Sequence, residues 1–170
     1  IVKIIKDPLF IIALFSAALG YGLMSYIMTS TPLSMHHLHG HSLESTKIVI
    51  QSHIAAMFLP SLITNWLNHR LGIKYILLIG STMFAGVIIV ASFGHSFLHY
   101  WWALIMLGVA WNFLFFSGTM LLHRVYRTSE KHKIQAINDF CVFSFQGVSS
   151  LLAGWVLFNY GWDGIVHSSI

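Results

Sequence analysis

The chain has 170 residues, 56% hydrophobic and only 8% charged. An ordinary soluble domain, with roughly a quarter of its residues charged, is excluded. The formal net charge of +4 needs no nucleic-acid partner, because the basic residues sort by position along the chain, and a single cysteine, Cys141, excludes a disulfide framework or a thiolate zinc site.

Five apolar runs are each long enough to cross a bilayer, and each has to be helical there because lipid offers no partner to the backbone. The first, 9–33, opens behind Pro8, whose missing N–H costs nothing in a first helical turn. It is too long, and lacks the cleavage signature, to be a signal peptide. Pro32 near its end predicts a kink, as does Pro60 in the second run, 48–67. The remaining runs are 75–93, 97–122 and 134–158. The expected fold is all-α and integral to the membrane, with residues 1–170 forming one helical domain that has the lipid bilayer as its solvent.

Alternating spans put eight of the nine basic residues on one side: Lys3, Lys6, Arg70, Lys74, Arg124, Arg127, Lys131 and Lys133. Lys47 alone falls on the other. The positive-inside rule then places Ile1 in the cytoplasm and the histidine-rich loop, residues 35–46, outside. Trp101, Trp102, Trp155 and Trp162 suit an aromatic belt on that outer side. The chain starts with isoleucine and is expected to be a piece of a longer one.

The short loop NWLNHRLGIKYI, residues 65–76, resembles a loop signature of the major facilitator superfamily, broadly G-x-L-x-D-R-x-G-x-[KR]. Leu67, Arg70, Gly72 and Lys74 match; Asn65 stands where glycine is usual and His69 where aspartate is usual. The loop also lies between the second and third spans, as it does in each half of those transporters. GVAWNFLFFSGTMLL (108–122) and KIQAINDF (133–140) are similar to later helices of bacterial members. The resemblance implies the C-terminal half of a twelve-helix transporter, lacking its last helix, in a bacterial inner membrane; its partners would be the N-terminal half and that helix. It also offers two readings of Arg70 and Asp139: a latch between them, or two solvated interfacial charges.

Two stretches carry soft ligands. Met24 and Met28 are four residues apart in the first span, and His53 and Met57 in the second, so each pair shares a helix face. At 1.5 Å per residue, Met28 and His53 lie roughly 7–8 Å inside the outer ends of their spans, and Met24 and Met57 roughly 13–14 Å. A hairpin of these spans sets four donors at two depths. Thioether and imidazole suit Cu(I) rather than a hard cation. The alternative is packing, since methionine fills gaps in cores and histidine bonds between helices. The two motifs are similar to those of the CcoA-type copper importers within the same superfamily. That resemblance implies copper as the transported substrate, passed inward over Met24, Met28, His53 and Met57.

Outside these four, Met35, His36, His37, His39 and His41 form either a tract that captures metal before entry or a polar, pH-responsive loop. Asn112 sits at membrane depth, lining a pathway or bonding between helices. Asp139 opens the fifth span as a helix N-terminal anion or part of a gate. Cys141 is a soft ligand or a packing residue. Five carboxylates and no buried pair give an enzyme no support, and no prosthetic group is expected. Besides copper import, the sequence leaves a proton-coupled carrier of a small organic solute on the same fold, with Asn112 or Asp139 essential, and a non-transporting assembly partner.

Overall fold

The structure is a computed structural model and describes residues 2–170, with side chains from residue 4 onward. The cytoplasmic placement of Ile1 and the side chain of Lys3 lie outside the described residues. After a short α1 (Val2–Ile5), α2 (Pro8–Leu33) starts at Asp7, whose carboxylate accepts from the Leu9 N–H at 2.8 Å. The helix passes through Pro32 without ending and loosens into a π turn, Ser34–Leu38. Ser42 caps α3 (Leu43–Phe58) by accepting from Ser45 N–H. Next come α4 (Ser61–Leu71), α5 (Ile73–Ser92) and α6 (Phe97–Leu122), then a 3-10 turn (Thr128–Glu130) and α7 (Lys131–Ser168).

Among the described residues four of these helices are long and apolar enough to cross a membrane, and α3 with α4, bent by 43° at the break, makes a fifth if the pair is taken as one broken span. The bend falls at Pro60, where the sequence places it. The boundaries differ. The second span starts at Leu43 rather than near residue 48, and the first continues to Leu38 through the π turn. The depths counted from the earlier ends are therefore too shallow by about five residues. The fifth span also runs on, to Ser168, and is broken at Gly161. That residue has φ 67 and ψ −166, a conformation open to glycine and costly to a residue with a Cβ. Beyond it, residues 162–168 cover the ends of α2, α5 and α6 next to the histidine-rich loop. Trp162 is consequently buried rather than belted, its indole N–H donating to the Ala91 carbonyl at 3.3 Å. Trp102 and Trp155 remain exposed, and Trp101 donates to Ser52 Oγ at 3.0 Å.

The central element is α6, which packs on α2, α3 and α5, while α2 also packs along α7. Two glycines make this possible. A Cβ on Gly108 would stand 2.8 Å from the His53 carbonyl oxygen and 2.9 Å from the Met57 nitrogen; one on Gly118 would stand 2.8 Å from the Ala13 carbonyl oxygen. Without hydrophobic driving force between helices in lipid, such close approach is a main source of association. One core cluster runs through the part of the bundle nearer the histidine-rich loop, including Met24, Met57, Leu107, Trp111 and Trp162. A smaller one, Phe10, Ala13, Leu121, Leu122 and Ile134, closes the other end, where Lys6, Lys74 and Arg124 lie.

Gly108→Ala is expected to lower stability by about 1–3 kcal/mol through overpacking against the α3 backbone. Gly147→Ala, where a new Cβ meets nothing within 4 Å, should be neutral or slightly stabilising. Thermal unfolding of the purified protein in detergent measures both.

Candidate functional site

Pro60 has no N–H, so the turn before it loses a helical bond, and the bend leaves the Met57 carbonyl to find another donor. It finds Asn112 on α6, whose Nδ2 donates to Met57 O at 2.8 Å and to Ser61 Oγ at 2.7 Å. The same amide's Oδ1 accepts from Thr64 Oγ1 at 2.9 Å, and that hydroxyl also reaches the Pro60 carbonyl at 2.7 Å. Asn112 and Thr64 are both buried. Of the two roles the sequence leaves for Asn112, it takes the bond between helices, and it also borders a cavity.

That cavity is a groove of about 260 Å³ beside the break, lined by Phe58, Ser61, Trp111, Asn112, Phe115, Phe116 and Thr119. Its walls are aromatic. Trp111 and Phe115 stack with centroids 5.2 Å apart and planes 8° from parallel. Tyr21 of α2 meets both edge-on, at 5.2 and 5.5 Å, and Phe58 meets Trp111 at 6.1 Å. None of the lining residues is charged. The Trp111 indole N–H is buried and has no partner. Periodicity did not single out this aromatic set. The run WNFLFF (111–116) carried the signal, but in a helix apolar on every side it reads as core.

His53 is fully buried, and its Nδ1–H donates to the Leu104 carbonyl at 2.7 Å, which leaves Nε2 without a partner. Met57 and Met24 are buried in the same core cluster and Met28 is half-buried against it. The α2–α3 hairpin contact expected for these four is hardly made, because each helix packs on α6 instead. The His53–Met57 face of α3 lies on Gly108.

The histidine-rich loop is folded rather than open. Met35 is fully buried, His36 Nδ1 donates to the His41 carbonyl at 2.9 Å, and His36 and His37 meet edge-on at 5.0 Å. His41 Nε2 donates to the His95 carbonyl at 2.8 Å. The His39 ring stacks on His95 at 4.1 Å, and its Nδ1 lies 2.9 Å from Tyr100 Oη and 3.1 Å from Ser34 O. Asp163 Oδ1 stands 3.5 Å from His95 Nε2. Among the described residues no three His, Cys, Asp or Glu side chains stand where they could share a metal ion. Burial pushes the His39 imidazole below its ordinary range; the neighbouring His95 and His41 add to this, while the Ser34 carbonyl and Asp163 oppose it.

The proposed latch does not form. Arg70 lies exposed over the Trp66 ring at 5.5 Å, and Asp139, also exposed, accepts from Asn138 Nδ2 at 3.2 Å. Cys141 is half-buried in an apolar seam with Leu14, Phe15 and Phe145.

No family model matches the chain, and no solved structure matches it. Curated transporters do. The riboflavin transporter RfnT of Brucella anthropi is 36% identical over 163 residues, which is 96% of this chain and 41% of that protein. Two uncharacterized MFS-type transporters of Bacillus subtilis, YdeG and YddS, are 38% and 35% identical over 136 and 137 residues, 79% of this chain and 31% of each. The chain thus spans less than half the length of the curated relatives it matches. MFS abbreviates the superfamily that the 65–76 loop resembles; none of the three names mentions copper.

Asn112→Ala should cost about 1–2 kcal/mol, because it strands the Met57 carbonyl in a buried bend; Asn112→Gln should not restore it. Thermal unfolding in detergent is the measurement. The histidine-rich loop carries a pH dependence. A depressed His39 favours the neutral ring in the folded state, so its contribution is full above the ordinary imidazole value and fades as pH falls below it. Amide exchange over residues 34–42, corrected for intrinsic rates, should therefore quicken from about pH 7.5 to about pH 5. His39→Gln should flatten that change.

Proposed function

We propose that this chain is part of a major-facilitator transporter that carries a small organic solute across a bacterial inner membrane, with its basic end in the cytoplasm. The observation that carries the reading is the uncharged aromatic groove at the break of the second span. A broken helix beside a cavity at membrane depth is how carriers expose polar groups to a solute without facing them to lipid. Kinship to RfnT, YdeG and YddS supports the transporter class, and the name of RfnT makes riboflavin the first solute to test. The rest of the same transporter would supply the opposite wall, and the solute would pass as the two halves rock about it.

Copper is the second reading. One observation favours it: a ligating histidine commonly donates its other ring N–H to a carbonyl, as His53 does to Leu104, leaving Nε2 for a metal. Under this reading copper is cargo, and Met24, Met28 and Met57 would be the thioether partners.

Uptake by cells expressing the full-length protein separates the two. Labelled riboflavin should accumulate above the vector control, and Phe116→Asp, which puts a charge in the groove, should abolish accumulation at equal membrane abundance. Copper accumulation lost on His53→Ala, with no organic solute taken up, would replace the organic reading with the metal one.

A further inference from the structure

The groove has a more specific chemistry than its location requires. Its long walls are the faces and edges of Phe58, Trp111, Phe115 and Phe116, and Trp111 and Phe115 are already nearly parallel. A third flat ring extends such an offset stack without disturbing it. The groove's own amide is spent: both Asn112 Nδ2 hydrogens and its Oδ1 are engaged in holding the bend. Two other donors are not. Ser61 accepts from Asn112 through Oγ, so its hydroxyl hydrogen is left over, and the Trp111 indole N–H is buried without a partner. No side chain there offers a charge.

We infer that this groove is a seat for an uncharged, planar, conjugated ring bearing carbonyl acceptors, stacked on the Trp111–Phe115 pair and bonded by Ser61 Oγ–H and Trp111 Nε1–H. This rests on the organic-solute reading and names the part of the solute that is recognised: the flat ring, and not a sugar or polyol tail attached to it. A ring with a formal charge is disfavoured, because no counter-charge lines the groove and desolvating a charge is expensive. Phe58, which is 59% exposed, is the specificity residue most open to change without disturbing the fold.

The test uses the full-length transporter in detergent with lumiflavin, which is the riboflavin ring system without the ribityl chain, followed by flavin fluorescence. Lumiflavin should bind, compete with riboflavin, and be indifferent to ribitol. Phe58→Leu should weaken binding about tenfold, the order expected for one stacking partner. Trp111→Phe keeps a flat aromatic face but removes the five-membered ring with its N–H, so it should bind lumiflavin more weakly than wild type while remaining folded, which thermal unfolding of the same sample checks. Equal lumiflavin affinity in wild type, Phe58→Leu and Trp111→Phe would overturn the seat, as would competition by ribitol. A protein that accumulates some other organic solute in cells yet binds no lumiflavin would also overturn the seat, and would leave the transporter reading standing. Failure to accumulate any organic solute, with lumiflavin bound in the groove as described, would sink the transporter reading and keep the seat.

Discussion

The bond from the Asn112 amide to the Met57 carbonyl is the contact on which the second span depends. A backbone oxygen that loses its helical donor at a bend has no water to turn to in a bilayer core, so the bend survives only where a neighbour supplies the missing donor. Asn112 does so from the helix at the centre of the bundle. The groove follows from the same arrangement. Had α3 and α4 formed one straight rod, Ser61 and Phe58 would lie along a continuous helix face, and the hollow beside Trp111 would have no reason to open. The glycine at position 108 sets the distance: α3 sits close enough to α6 for a side-chain amide one turn further on to reach its backbone.

The end of the bundle that carries the histidine-rich loop is organised on a different principle. Three segments that are far apart in sequence meet there: the π turn with its following loop, the link between α5 and α6, and the stretch after Gly161. They are held by rings and hydroxyls rather than by apolar packing alone. Tyr100 is the hub, buried, 2.7 Å from Ser34 Oγ, and against Trp162 at 4.8 Å between ring centroids. Tyr26 Oη joins Ser168 Oγ at 2.7 Å and ties the last turn to α2. The histidines of this region suit such packing, because a neutral imidazole donates at one nitrogen and accepts at the other among short loops crowded with carbonyls.

Much of this was legible in the residues. Apolar runs gave the number of crossings because lipid leaves the backbone no alternative to the helix, and Pro60 marked the bend. Other parts were hidden for identifiable reasons. The stretch NYGWDG reads as the polar end of a span; only the positive φ of Gly161 reveals that the chain turns there and returns Trp162 to the core. The π turn carries no signature, since Leu33–Leu38 is neither clearly helical nor clearly loop. Which helices touch was the largest omission. Consecutive spans are natural neighbours, yet α6 separates α2 from α3, and an all-round apolar helix such as α6 does not announce its position. The roles of Thr64 and Ser61 followed only once Asn112 was seen to reach them.

The seam at Gly108 has a mechanical meaning. Where side chains interdigitate, two helices move past each other only by changing rotamers, so they behave as locked. Here backbone lies on backbone at Gly108, and the side-chain links on either side of it are single hydrogen bonds, His53 to the Leu104 carbonyl and Asn112 to the Met57 carbonyl. Such a contact resists separation, because the approach is close, but offers little friction to sliding along the common axis. The small translations that accompany shear motions between packed helices have an obvious track in this seam, with the Asn112 hydrogen bonds acting as the detent that defines its resting register.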